Sequence, residues 1–176
     1  MQFCTTVLAA LAVAGAAGCS PTFDWREFEP DGSGVVLAFP CKPDRHARTV
    51  TVAGASTRME MLVCVAGATT FALTYFDVAD PMSVTPAIAD LRAVAAKNLG
   101  LGATPPSVAK LQVRGMTPNS QAARLVLVGH RPDGAPLQQQ AAFFTKGLRV
   151  YQASVVGGQP PAEAVDTYFS SLKLPS

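Results

Sequence analysis

The chain has 176 residues, of which 49% are apolar and 15% charged, with a formal charge of +2. So apolar a composition excludes a disordered polypeptide, and so slight a positive balance argues against a nucleic-acid partner, which calls for a marked basic face. The part beyond residue 18 is the right size for one domain with its own core.

The N-terminus comes first in chain order. Residues 7–17 form an uninterrupted apolar run. It falls short of the roughly 20 residues that span a bilayer, and it fits the core of a secretory signal followed by small residues at the cut. The run ends in Ala16-Ala17-Gly18-Cys19-Ser20. This resembles the lipobox of bacterial lipoproteins, with Ala16 where the usual pattern has Leu and no Lys or Arg ahead of the run. The resemblance implies a signal peptide over residues 1–18 and a diacylglycerol on Cys19, whose new amino terminus is acylated (palmitate or a similar chain). Ser20 looks like the residue that sorts such proteins to the outer membrane of a Gram-negative cell. Plain secretion with a cut near the same place, or a retained anchor, are the alternatives.

Residues 19–33 read as a short tether to a single domain at 34–176. Its aromatics Phe23, Trp25 and Phe28 alternate. They suit an edge strand or a docked segment, with membrane-surface contact as the rival reading, because Trp favours interfaces. Glu27 and Glu29 are expected to be solvated.

Strands are expected over 34–39, 48–52, 57–65 and 69–78, from alternation, β-branched residues and the turns at Gly54-Ala55 and Gly67-Ala68. The stretch Lys42 to Arg48, with Arg45 and His46, reads as a wet basic loop. It could touch anionic headgroups or an acidic partner, although three cations attract weakly. The period then changes. Thr85-Pro86 offers an N-cap and a first-turn Pro, Ile88, Leu91, Ala95 and Leu99 follow at helical spacing, and Gly100 and Gly102 stop the helix. Asp90, Arg92 and Lys97 fall on a face expected to be wet. After a Gly/Pro connection at 101–107, strands are expected at 109–114, 121–130, 138–145 and 148–156. Arg131-Pro132-Asp133-Gly134 supplies a turn. A last helix opens at Pro160-Pro161 and turns Val165, Tyr168 or Phe169, and Leu172 inward. The order strands, helix, strands, helix predicts an α+β fold: an antiparallel sheet with two helices packed over it.

Phe39-Pro40-Cys41-Lys42-Pro43, the late strand at 147–157 and the closing helix at 164–174 together resemble small bacterial lipoproteins, and more distantly the PsbP-like fold. The resemblance implies an α/β sandwich. It carries no activity to these residues: PsbP supports the oxygen-evolving complex of photosystem II, and no residue here maps to that role. Cys41 stands where the group has Gly.

There are four cysteines. With Cys4 in the signal and Cys19 lipidated, Cys41 and Cys64 remain, an even pair that suggests a disulfide in an exported domain. Closing that loop would contribute about 3 kcal/mol in the chain-entropy model. Two buried thiols are the alternative. There is no CxxC, and no His pair suits zinc. His46 lies in the basic stretch and His130 at a strand end, neither beside a nucleophile motif. No phosphate-binding loop or calcium ladder is present. The sequence therefore points to a lipid-anchored, non-catalytic envelope domain without cofactor, working as a binding or assembly accessory for an envelope protein. A carrier or sensor of a small apolar ligand and an envelope hydrolase are the alternatives.

Overall fold

The computed structural model describes residues 22–101 and 111–175. The expected signal, Cys4, Cys19, Ser20, most of the connection at 101–107 and the start of the strand expected at 109 lie outside them. Two sheets and two helices make up the described part. The strands are β1 (Arg26–Phe28), β2 (Leu37–Phe39), β3 (Asp44–Val52), β4 (Ala55–Ala66), β5 (Thr69–Asp77), β6 (Ala123–His130), β7 (Pro136–Lys146) and β8 (Arg149–Gly157); the helices are α1 (Val84–Asn98) and α2 (Ala162–Ser170). The strands β3 to β8 form one six-stranded sheet in the order β3-β4-β5-β8-β7-β6, and β1 pairs with β2. Every strand pair is antiparallel. This is the α+β architecture expected from the element order, with one helix on each face of the main sheet.

The placing of the helices follows from side-chain alternation, which sends successive residues to opposite faces. Phe71, Leu73, Phe144, Tyr151 and Val155 line one face and pack with Phe39 of β2 and with Val165 and Tyr168 of α2. Phe76, Phe143, Val150, Leu125 and Leu127 line the other and receive Ile88, Leu91 and Ala95 of α1. Central strands β7 and β8 are therefore apolar on both faces, and edge strand β6 on one. Both Tyr168 and Phe169 are buried.

Four expectations shift. The basic stretch Lys42 to Arg48 is not a loop: from Asp44 on it is the first half of β3, in register with β4 from Asp44↔Val63 to Val52↔Ala55. The chain begins its helical region earlier than Thr85, because Asp80-Pro81 repeats the same cap chemistry one turn upstream. The Asp80 carboxylate accepts the Ser83 N–H at 3.0 Å and the Ser83 hydroxyl at 2.8 Å around a 3-10 turn at Pro81–Ser83. These bonds hold the Asp80 carboxyl below its usual range. The described part of the strand expected at 109–114 has no sheet neighbour. Val113 packs into the core, and Arg114 makes one parallel bridge to Lys173. Arg92 is not wet: its guanidinium donates to the side-chain and backbone oxygens of Gln121 at 2.8 and 3.2 Å.

The segment Thr22–Ser33 of the expected tether packs onto the domain. Phe23 and Trp25 both meet the Phe71 ring, at 6.1 and 5.6 Å between centroids. At the other terminus the tail runs back between β2 and the connection: Val36 and Lys173 exchange backbone hydrogen bonds of 2.8 and 2.9 Å, and the Leu174 N–H donates to Arg114.

Two glycines allow close backbone crossings. A Cβ at Gly129 would overlap the carbonyl of Leu99, where α1 ends on β6, and one at Gly115 (φ +83) would overlap the carbonyl of Leu174. We expect Gly115→Ala to destabilise by about 3 kcal/mol, because a left-handed backbone and a backbone clash add. Gly129→Ala, with the clash alone, should cost about 2 kcal/mol. Urea denaturation of the two variants measures the difference.

Candidate functional site

The densest set of ionised groups is at one end of the main sheet, the end where β5 finishes and β8 starts. Strand pairing puts Asp77 directly opposite Arg149. The guanidinium grips the carboxylate with two bonds, Nε to Oδ1 at 2.7 Å and Nη2 to Oδ2 at 2.6 Å. This fork geometry is the strong form of the pair. The hydrogen bonds from Arg149 pull the Asp77 pKa below its ordinary value, against the effect of burial, and Asp77 in turn raises that of Arg149.

Around this pair the loop before β2 is captured through three successive carbonyls. Asp31 accepts from the Arg45 guanidinium at 3.2 Å, Gly32 accepts from Arg149, and Ser33 accepts from the Tyr151 hydroxyl at 2.8 Å. Arg45 also donates to the Tyr75 hydroxyl at 3.1 Å and to Glu60 at 3.2 Å, and Arg58 reaches the second oxygen of Glu60 at 2.9 Å. Burial works to raise the Glu60 pKa, but the hydrogen bonds from Arg58 and Arg45 outweigh it and the net direction is down. Burial pushes Tyr75 up, and Tyr151 up to about 12. Both phenols therefore stay protonated at neutral pH. Chemically the cluster is a network of satisfied donors and acceptors. It contains no activated base or nucleophile, and it suits holding a loop and presenting a polar surface.

Two open clefts flank the Arg149–Asp77 pair. One, of about 540 Å³, is lined by Glu29, Lys146, Leu148 and Tyr151, and the other, of about 340 Å³, by Arg45, Thr57, Arg58, Glu60 and Tyr75. Acid should loosen the clasp. The depressed pKa of Asp77 means that its contribution is present above the unfolded carboxyl value, near 3.9, and is lost as pH falls through the folded value. Asp77 is more than half exposed, so screening limits the effect to under about 1 kcal/mol. We expect Asp77→Asn to flatten the acid limb of a stability–pH curve below about pH 4 and to leave neutral stability lowered by a similar amount.

The residues singled out in the sequence are dispersed. Cys41 and Cys64 form a disulfide, with Cα atoms 5.9 Å apart. Cys19 lies outside the described residues. His46 is on β3 and His130 ends β6, the two opposite edges of the six-stranded sheet. At about 4.8 Å per strand this separates them by roughly 24 Å, so they cannot act on one substrate atom. Strand alternation also splits the basic stretch: Arg45 joins the clasp, whereas His46 and Arg48 point to the other face beside Met59 and Met61, around a depression of about 220 Å³. That volume is below the usual range for a small-molecule pocket. Glu27 is exposed and pairs with Lys173 at 3.0 Å. Among the described residues no three His, Cys, Asp or Glu side chains gather as a metal site, and no helix is long and apolar enough to cross a membrane.

The clasp itself left no trace in local sequence. Asp77 and Arg149 are 72 residues apart, and only strand register makes them neighbours. No protein-family model and no curated protein matches the chain.

Proposed function

We propose that this chain is a lipid-anchored domain of the cell envelope, cut after Gly18 and acylated on Cys19, that works without catalysis as a binding or assembly accessory. In a Gram-negative cell it would face the periplasm from the outer membrane. The observation that carries the reading is the Cys41–Cys64 disulfide, the mark of an oxidising compartment, on a chain whose first residues resemble a lipobox. The chemistry of the clasp is in keeping with it: Arg45, Glu60, Asp77 and Arg149 are occupied with one another and with backbone carbonyls. The spaces between sheet and helices are filled by aromatic and aliphatic side chains, which favours presentation of a surface over enclosure of a small apolar ligand.

Intact mass of the protein purified from the membranes of its host tests the anchor. The expected result is a chain starting at Cys19 with acyl mass. A start elsewhere, without lipid, overturns it. Cross-linking in intact cells tests the accessory role, with reproducible recovery of an envelope protein as the expected result; recovery of none counts against it.

A further inference from the structure

We propose that the end of the sheet carrying the β4–β5 turn rests on the phospholipid bilayer, so that the Arg149–Asp77 end is held away from the membrane; this rests on the lipid anchor proposed above. The argument begins with reach. Thr22, the first described residue, lies against the β4–β5 turn: its Cγ2 is 3.3 Å from where a Cβ on Gly67 would be. Only three residue steps separate Thr22 from Cys19. A fully extended chain covers at most about 3.6 Å per residue, so the Cα of Thr22, beside this turn, stays within roughly 11 Å of the Cα of the anchored Cys19. From Phe23 onward the chain is fastened to the domain, through Phe71 and through the Asp24 N–H, which donates to Pro40 at 2.9 Å. The tether therefore cannot lengthen without undoing that packing.

The composition of the two ends agrees with this orientation. The β4–β5 turn, where the tether arrives, reads Ala66-Gly67-Ala68-Thr69, and beside it the exit from β8 reads Gly157-Gly158-Gln159-Pro160-Pro161, with no ionisable side chain in either; the exposed Lys42, Arg131, Asp133 and Glu163 at the same end are scattered around them and balance in sign. Val65, just before the turn, is 63% exposed, and Val128, whose partner Gln138 stands opposite Gly157, is 66% exposed. Headgroups tolerate small, uncharged and apolar groups at close range, and Val side chains gain from leaving water there. At the opposite end Asp77, Arg149, Arg58 and Glu60 are crowded together, a surface that would lose hydration against a bilayer.

Brominated-lipid quenching of tryptophan tests the orientation. The chain's one Trp is removed by Trp25→Phe, which keeps an aromatic ring on Phe71. Into that background go Ala68→Trp at the turn or Ser56→Trp at the far end, both exposed positions. The acylated proteins, checked by mass, are reconstituted in phosphatidylethanolamine–phosphatidylglycerol vesicles with brominated chains. We expect quenching at least about twofold stronger for A68W than for S56W. Equal quenching in acylated protein, or stronger quenching of S56W, overturns the orientation and leaves the anchor standing. Absence of acyl mass overturns both.

Discussion

Replacing Phe71 by Ala is expected to destabilise the domain by about 3–5 kcal/mol, the range for removing a buried aromatic ring. Phe71 is fully buried and joins three parts of the molecule. Its ring meets Tyr168 of α2 at 5.4 Å and Trp25 and Phe23 of the N-terminal segment at 5.6 and 6.1 Å. The backbone around it pairs with Cys64 on β4 and Val155 on β8. Truncation therefore opens a cavity and also frees the segment that connects any lipid on Cys19 to the domain. Two measurements separate these effects. Urea denaturation gives the total loss. The fluorescence of Trp25, the single tryptophan, gives the local one, and its emission should shift to the red in the native state as the half-buried indole meets water. Phe71→Leu should cost under about 2 kcal/mol and leave the emission nearly unchanged. A loss below about 1 kcal/mol with unchanged emission would mean that the N-terminal segment docks independently of this ring.

Tyr168 adds a polar reason for the same packing. Its hydroxyl donates to the carbonyl of Ala72 at 2.8 Å from within the core, and burial raises its pKa well above the ordinary value. The phenol closes a hydrogen bond that a Phe would leave open, so α2 is positioned on β5 as well as covered by it.

How far the fold is legible in sequence depends on what each element packs against. β6 is plain, because Ala123, Leu125 and Leu127 alternate with more exposed residues and one face is covered by α1. α2 is plain for the same reason, with Val165, Tyr168 and Phe169 on one side. β3 misleads in its first half. As an edge strand it is exposed on both faces from Asp44 to Thr49, and charges on an edge discourage pairing with other chains. The same Arg45, His46 and Arg48 that hide the strand from a hydrophobic pattern therefore suit it to its place. The segment at 111–114 misleads in the opposite sense: it has the alternation of a strand, but β6 has taken its place beside β7, and its apolar residues are used one by one against the core. The clasp is the least legible part. Its carboxylate and guanidinium belong to different strands, and the three carbonyls that it holds carry no sequence signature, because any residue has one. The cysteine pair was readable by counting alone, and its geometry follows from the pairing of β3 with β4.

That pairing makes the disulfide the source of the second large effect. Of the nine residues of β3 only Val52 is buried, so apolar burial contributes little to holding the first half of the strand. What keeps it in place is the ladder with β4, the hydrogen bonds of Arg45 to Glu60, Tyr75 and Asp31, and the bond from Cys41, just before the strand, to the buried Cys64. The bridge closes a loop with a sequence separation of 23, for which the chain-entropy account gives a stabilisation of about 3 kcal/mol. We expect Cys41→Ala with Cys64→Ala to lose that amount in urea denaturation. Reduced wild-type protein should lose nearly as much, because Ala fills the space of a thiol poorly but places no hydroxyl in the core. Hydrogen exchange should locate the loss: amides of Asp44 to Ala47 should exchange faster without the bond, and those of β7 and β8 should change only with global stability. If oxidised and reduced proteins unfold at the same urea concentration, the edge strand is held by the ladder and the bonds of Arg45 without help from the bridge. If they differ as expected, the domain reaches its full stability only under conditions in which the disulfide forms, and that dependence lies in the way its most exposed strand is fastened.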